Sequence, residues 1–142
     1  MTQSTAPDDE RPRGVRQLRL VVTASDYDAA VAFYRDVLGL PEEEAYESAD
    51  GRVTILDAGR ATLEIADPAQ ADFIDAVEVG RRVAGHIRVA FEVADAAAAT
   101  DRLAAGGADV VAPPTQTPWR SLNARLEGPA GLHLTLFTEL DG

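Results

Sequence analysis

The sequence predicts an α+β protein assembled from two βαβββ modules. An internal repeat and a strict alternation of apolar and polar residues within the strands carry that prediction. The segment RLVVTASDYDAAVAFY from Arg19 matches RVAFEVADAAAATDRL from Arg88, an offset of 69 residues. Val22 then falls on Phe91, Asp26 on Asp95, and Ala29-Ala30 on Ala98-Ala99. Each copy reads as a strand, an acidic helix start and a helix. The first helix is expected from Ser25 or Asp26, with Asp28 completing a capping box, and is expected to stop at Gly39. The second is expected from near Asp95 to Gly106-Gly107.

The remaining strands follow in order. The first module continues with strands near Glu43–Ser48, Arg52–Ala58 and Ala61–Ala66, and the second with strands near Val110–Pro113, Leu122–Glu127 and Leu132–Phe137. The turn and strand DAGRATLEI from Asp57 lie over GPAGLHLTL from Gly128, so Glu64 falls on Thr135. The modules span about 15–66 and 85–142, one domain with a linker over about 67–84, where DPAQADFIDAVEVG fits a short helix or irregular segment. The polar N-terminus MTQSTAPDDERPRG, residues 1–14, is expected to be a disordered tail.

Alternation assigns the faces. Leu18, Leu20 and Val22 oppose Gln17, Arg19, Val21 and Thr23; Leu63 and Ile65 oppose Thr62 and Glu64. In the second module Ile87, Val89, Phe91 and Val93 oppose His86, Arg88, Ala90 and Glu92, while Leu132, Leu134 and Leu136 oppose His133, Thr135 and Phe137. The apolar faces are expected under the two helices, whose Phe33 and Tyr34 are taken as core. The polar faces would line the hollow of a curved sheet.

Composition narrows the function classes. The 142 residues carry a net charge of −11, which disfavours nucleic acid and anionic membrane surfaces as partners. All 13 basic residues are arginine, with no lysine and no cysteine, so Schiff-base chemistry, thiolate nucleophiles, disulfides and sulfur metal sites are absent. No apolar run approaches the roughly 20 residues that span a bilayer, and no signal-peptide core is present, so a cytoplasmic location is expected.

Three stretches carry a family resemblance: TASDYDAAVAFYRDVLGL from Thr23, RVAFEVADAAAATDRLAAGGADV from Arg88, and GPAGLHLTLF from Gly128. They resemble the vicinal oxygen chelate superfamily of glyoxalases, extradiol dioxygenases and bleomycin-resistance proteins, and the resemblance covers Val15 to Leu140. It implies a cup-shaped, mixed eight-stranded sheet with helices outside, in a homodimer whose modules pair within or across chains. In metal-dependent members the ligands, typically His and Glu, come from the first and last strands of each module. Those four places here are Arg19, Glu64, Arg88 and Thr135, and only Glu64 is a ligand type. Arginine is permanently protonated and has no lone pair to give a metal. A displaced set of His86, His133 and Glu64 would have to close around a point flanked by arginines. No metal and no cofactor is therefore expected.

Glu64, set between Arg19 and Arg88, admits two readings: a buried ion cluster that fixes the sheet, or convergent groups that orient a polar ligand. Trp119 is either a core residue or a stacking platform for a flat ligand. His133, Tyr46, Asn123 and Phe137 are further candidates for the cup wall, and Glu42–Glu44 reads as a solvated edge. The leading expectation is a metal-free cup that binds a small molecule, in bleomycin-resistance fashion an aromatic or cationic antibiotic. The alternatives are a lyase or isomerase with Glu64 as general base, its pKa lowered by the adjacent arginines, and a glyoxalase or dioxygenase with the displaced metal set.

Overall fold

The structure is a computed structural model and describes residues 14–140. Of the expected tail over residues 1–14, all but Gly14 lie outside the described residues. Eight strands form one sheet in the order β2-β3-β4-β1-β5-β8-β7-β6. In chain order they are β1 (Gln17–Thr23), β2 (Glu42–Ser48), β3 (Gly51–Asp57), β4 (Ala61–Ala66), β5 (Ile87–Glu92), β6 (Asp109–Gln116), β7 (Ser121–Gly128) and β8 (Leu132–Glu139). The order reads the same from either edge once each strand is exchanged for its repeat partner, so the duplication seen in the sequence is also the symmetry of the sheet. β1 and β5 pair antiparallel at the centre, and each pairs parallel on its outer side, with β4 and β8 respectively. The two modules thus join within one chain.

Helix α1 (Tyr27–Val31) starts at Asp26, whose carboxylate accepts from the Ala29 amide; Asp28 takes no part, so the expected capping box is replaced by a simple N-cap. From Ala32 to Val37 the helix widens into π-winding, with the Leu38 amide bonded to the Phe33 carbonyl. Phe33 is 53% and Tyr34 37% exposed, which corrects their assignment to the core. Helix α3 (Ala96–Ala105) is capped by Asp95 and ends at Gly106-Gly107, as its sequence predicts.

Two apolar clusters occupy the outer face of the sheet. Tyr27 and Val31 of α1 pack on Leu56 and Ile65, and Ala96 and Ala99 of α3 pack on Ala124, Leu126, Leu134 and Leu136. The alternation rule holds in the strand centres. It fails at strand ends, where Leu18, Ile87 and Leu132 are open to solvent.

The linker is helix α2 (Pro68–Glu78). It packs on strands of both modules, and its Asp75 and Glu78 bond side chains of β7 that alternate with Ala124 and Leu126. Helix α2 therefore lies on the polar face, with the sheet between it and α1 and α3. Asp67 caps it, accepting from the Gln70 and Arg52 amides. Gly51, at φ +150°, lets the first turn of α2 approach so closely that a Cβ would stand 2.4 Å from the Gln70 nitrogen. Gly51→Ala is expected to lower unfolding stability by about 1–3 kcal/mol in a denaturant titration, through backbone strain and displacement of α2.

Candidate functional site

The inner strands place Arg19, Glu64, Arg88 and Thr135 around one cavity of about 390 Å³. Trp119, Asn123 and Phe137 also line it, joined by Ile74 and Glu78 of α2. Seven of the nine residues singled out from the sequence thus meet in one place. Tyr46 does not: it sits on edge strand β2, 56% exposed, in a separate groove beside Tyr27 and Arg52. His133 is on the polar face as expected but is buried away from the cavity. Its Nδ1 lies 2.6 Å from Glu127 Oε1 and its Nε2 3.1 Å from Arg125 Nη1. Arginine can only donate, so Nε2 accepts and the proton sits on Nδ1.

The two repeat-related arginines are held differently. Arg19 donates from Nε to Gln17 (2.8 Å), pairs with Glu139 (3.2 Å) and more loosely with Glu64 (3.6 Å), and lies 4.6 Å over the Phe137 ring. Arg88 donates to the neutral Thr135 hydroxyl at 2.7 Å, and among the described residues it forms no ion pair. Burial disfavours its charge and the nearby Arg125 adds to this, while Glu78 and Glu64 oppose; the net displacement of its pKa is downward. It remains a cation, because a guanidinium does not deprotonate at ordinary pH.

Glu64 makes no hydrogen bond among the described residues, and its nearest charged partner is Arg19. Burial pushes its carboxyl up, and the attraction of Arg19 and Arg88 does not cancel that push. This reverses the expectation that the arginines would dominate and lower its pKa: losing water costs the carboxylate more than two imperfectly placed cations return.

Sequence reasoning missed the cluster that closes the cavity. Arg125, fully buried on β7, donates from Nε to Glu78 at 2.6 Å, and its Nη1 lies 2.9 Å from Asp75. Asn123 donates to the other Glu78 oxygen at 2.7 Å and accepts from the Ser121 hydroxyl. The second Asp75 oxygen accepts from the Val83 and Ala84 amides. Burial alone would raise the Asp75 pKa, but those amides and Arg125 together hold it below the usual carboxylate range. Two signals could have found the cluster: acids three residues apart on one helix face, and an arginine in mid-strand in phase with Asn123.

The donor set does not fit a divalent ion. Two of the four positions are guanidiniums, and the Thr135 hydroxyl is engaged by one of them. Among the described residues no group of three His, Cys, Asp or Glu side chains is placed to hold a metal. The displaced set fails as well, since His86 is exposed and His133 is spent on Arg125 and Glu127.

The model of the Glyoxalase/Bleomycin resistance protein/Dioxygenase superfamily matches residues 16–136. The chain belongs to this superfamily. No curated protein matches it. Among solved structures, a hypothetical protein from Bacillus halodurans C-125 superposes with a TM-score of 0.66 at 13% identity, over 87% of this chain and 94% of that one. Methylmalonyl-CoA epimerase from Streptomyces coelicolor, in complex with 2-nitronate-propionyl-CoA, gives 0.62 at 22% identity, over 87% and 96%. The Mycobacterium tuberculosis methylmalonyl-CoA epimerase gives 0.62 at 19% identity, over 90% and 89%. At these identities the superpositions establish the shared fold of the superfamily member and nothing about its ligand. No helix among its described residues is long and apolar enough to cross a membrane.

Proposed function

We propose that this superfamily member is a metal-free receptor for a small molecule with an oxyanion or polarised carbonyl beside a flat apolar part. The observation that supports this most is Arg88, a guanidinium in the wall of the cavity whose hydrogen bond goes to a neutral hydroxyl. An anionic oxygen supplied by a ligand gives it the charge-assisted partner it lacks among the described residues. Arg19, on the neighbouring strand β1, is a second donor in the lining, and Trp119, 41% exposed, offers an aromatic face. Sequestration of an aromatic antibiotic is the form suggested by the bleomycin-resistance members, and a homodimer is carried over from the same likeness.

Trp119 is the only tryptophan, so its emission reports on the cavity directly. Titration with aromatic carboxylates and hydroxyquinones is expected to give saturable quenching, matched by calorimetric heats. Absence of saturation with every compound in both classes removes the receptor reading. Stoichiometric zinc, iron or manganese in the purified protein removes its metal-free part, and sedimentation at the mass of one chain removes the dimer.

A second reading, proton transfer by Glu64 on a carbonyl substrate, is favoured by the upward displacement of its carboxyl. Solved structures of an epimerase acting on an acyl-CoA share the fold. Glu64→Gln separates the two. In a receptor it removes a charge that competes for Arg19 and Arg88, so anion affinity rises a few-fold. In an enzyme it abolishes turnover. A carboxyl raised in the folded state favours folding while protonated, and that contribution is lost as pH rises through the raised value. Glu64→Gln is therefore also expected to be the more stable protein at pH 7 in thermal unfolding.

A further inference from the structure

We infer that Arg120 is a second anion contact of the cup, and that the ligand carries two acidic groups set far apart, one for Arg88 and one for Arg120. This rests on the receptor reading and extends it to the length and charge of the guest.

The hairpin between β6 and β7 turns on Pro118, Trp119 and Arg120. The Arg120 amide donates to the Thr117 carbonyl at 3.1 Å, and the Thr117 amide to the Ser121 carbonyl at 2.8 Å. A three-residue loop closed in this way puts its last residue in the left-handed region, where glycine sits without strain. This chain places an arginine there, at φ +65°, and among the described residues it is the one non-glycine with a positive φ. The Leu140 amide, donating to the Arg120 carbonyl at 2.8 Å, helps to hold it. A turn rule broken beside a cavity marks a residue kept for its side chain. That side chain is exposed, lines the same cavity as Arg88, and among the described residues makes no hydrogen bond or ion pair.

A count of charges in the lining favours neither sign, since Arg19, Arg88 and Arg120 stand with Glu64, Glu78 and Glu139. Their commitments decide. Glu78 has both oxygens taken, by Arg125 and Asn123. Glu139 pairs with Arg19, which also makes the looser contact with Glu64. Among the described residues Arg88 and Arg120 are the lining cations without a paired carboxylate. Register sets their spacing. Val89, beside Arg88, pairs with Leu134 of β8, and Ser121, beside Arg120, pairs with Glu139 of the same strand. The levels of the two arginines thus differ by at least five residues of β8, roughly 16 Å of strand. Once both side chains reach into the shared cavity, acidic groups that meet both stand on the order of 10 Å apart.

The test uses the full chain, calorimetry at low salt and four probes: benzoate, terephthalate, biphenyl-4-carboxylate and biphenyl-4,4′-dicarboxylate. The biphenyl diacid is expected to bind about fivefold more tightly than its monoacid, beyond the twofold of its equivalent ends, which is the upper range for an exposed ion pair. Added salt should shrink that gain. Terephthalate, whose acidic groups are too close to meet both arginines, should gain only the same twofold over benzoate. In Arg120→Gly and Arg120→Asn the gain should vanish while monoacid affinity holds. The unfolding midpoint of both should rise by about 3 °C, because these residues tolerate the left-handed backbone. A biphenyl diacid no tighter than its monoacid, or a gain that survives in Arg120→Gly, overturns the second contact and leaves the receptor reading standing. A midpoint that falls in both variants assigns Arg120 to the hairpin and overturns it too. Failure of all four probes to bind removes the receptor reading and this inference with it.

Discussion

Arg88→Met is expected to leave the protein folded, with an equal or higher unfolding midpoint, while weakening the binding of anionic ligands about 100-fold. The two effects have one origin. Burial already works against the Arg88 charge, and its hydrogen bond goes to a hydroxyl rather than a carboxylate. A buried cation without a paired anion is a net cost, and an apolar side chain of similar volume relieves it. On the proposed receptor reading the same cation is what a ligand oxyanion meets. Calorimetry and thermal unfolding on the single variant read both quantities. A loss of stability together with a loss of affinity would assign Arg88 to the architecture instead of the ligand.

Arg125→Met is expected to behave in the opposite way, lowering stability by about 3–5 kcal/mol because Glu78 is left buried without its cation and Asp75 keeps only the looser Arg82 contact at 3.7 Å. Adding Asp75→Asn and Glu78→Gln to the same chain should restore most of that loss, as removal of a whole buried cluster costs far less than removal of one member. The pH dependence carries its own sign. Asp75 is held below the usual carboxylate range in the folded protein, so its stabilising contribution is complete above the unfolded value. It drains away as pH falls below about 4 and through the lowered folded value. In Arg125→Met the Val83 and Ala84 amides and the looser Arg82 contact still hold the Asp75 carboxylate, so the loss of stability on acidification over the same range should be shallower. Denaturant titrations at several pH values distinguish the two slopes.

The parts of the fold legible in the sequence are those set by local periodicity. The strands, the N-caps at Asp26 and Asp95 and the repeat all follow from patterns only a few residues long. The four repeat-equivalent positions Arg19, Glu64, Arg88 and Thr135 converge because alternation fixes a side chain's face and the sheet's symmetry brings the inner strands together. What stayed hidden depends on distant pairing. Asp75 and Glu78 look like solvent-facing acids until their partner Arg125, 47 residues from Glu78, is seen on the facing strand. Tyr46 shares the polar pattern of a cup residue yet lies on edge strand β2, where the hollow no longer reaches. His133 has the right face, but Arg125 and Glu127 take both its nitrogens. Phe33 stands two residues after the buried Val31, on the far side of the helix, so its spacing already argued against a core position.

The twofold strand order around the β1–β5 seam puts Arg19 and Arg88 in equivalent places, yet their surroundings differ. Arg19 is braced by Gln17, Glu139 and the Phe137 ring, while among the described residues its counterpart Arg88 donates to a threonine. On the proposed receptor reading, a pocket with twofold-related guanidiniums in unlike surroundings would tell the head of a guest from its tail. A guest turned end for end, though identical in composition, should be rejected.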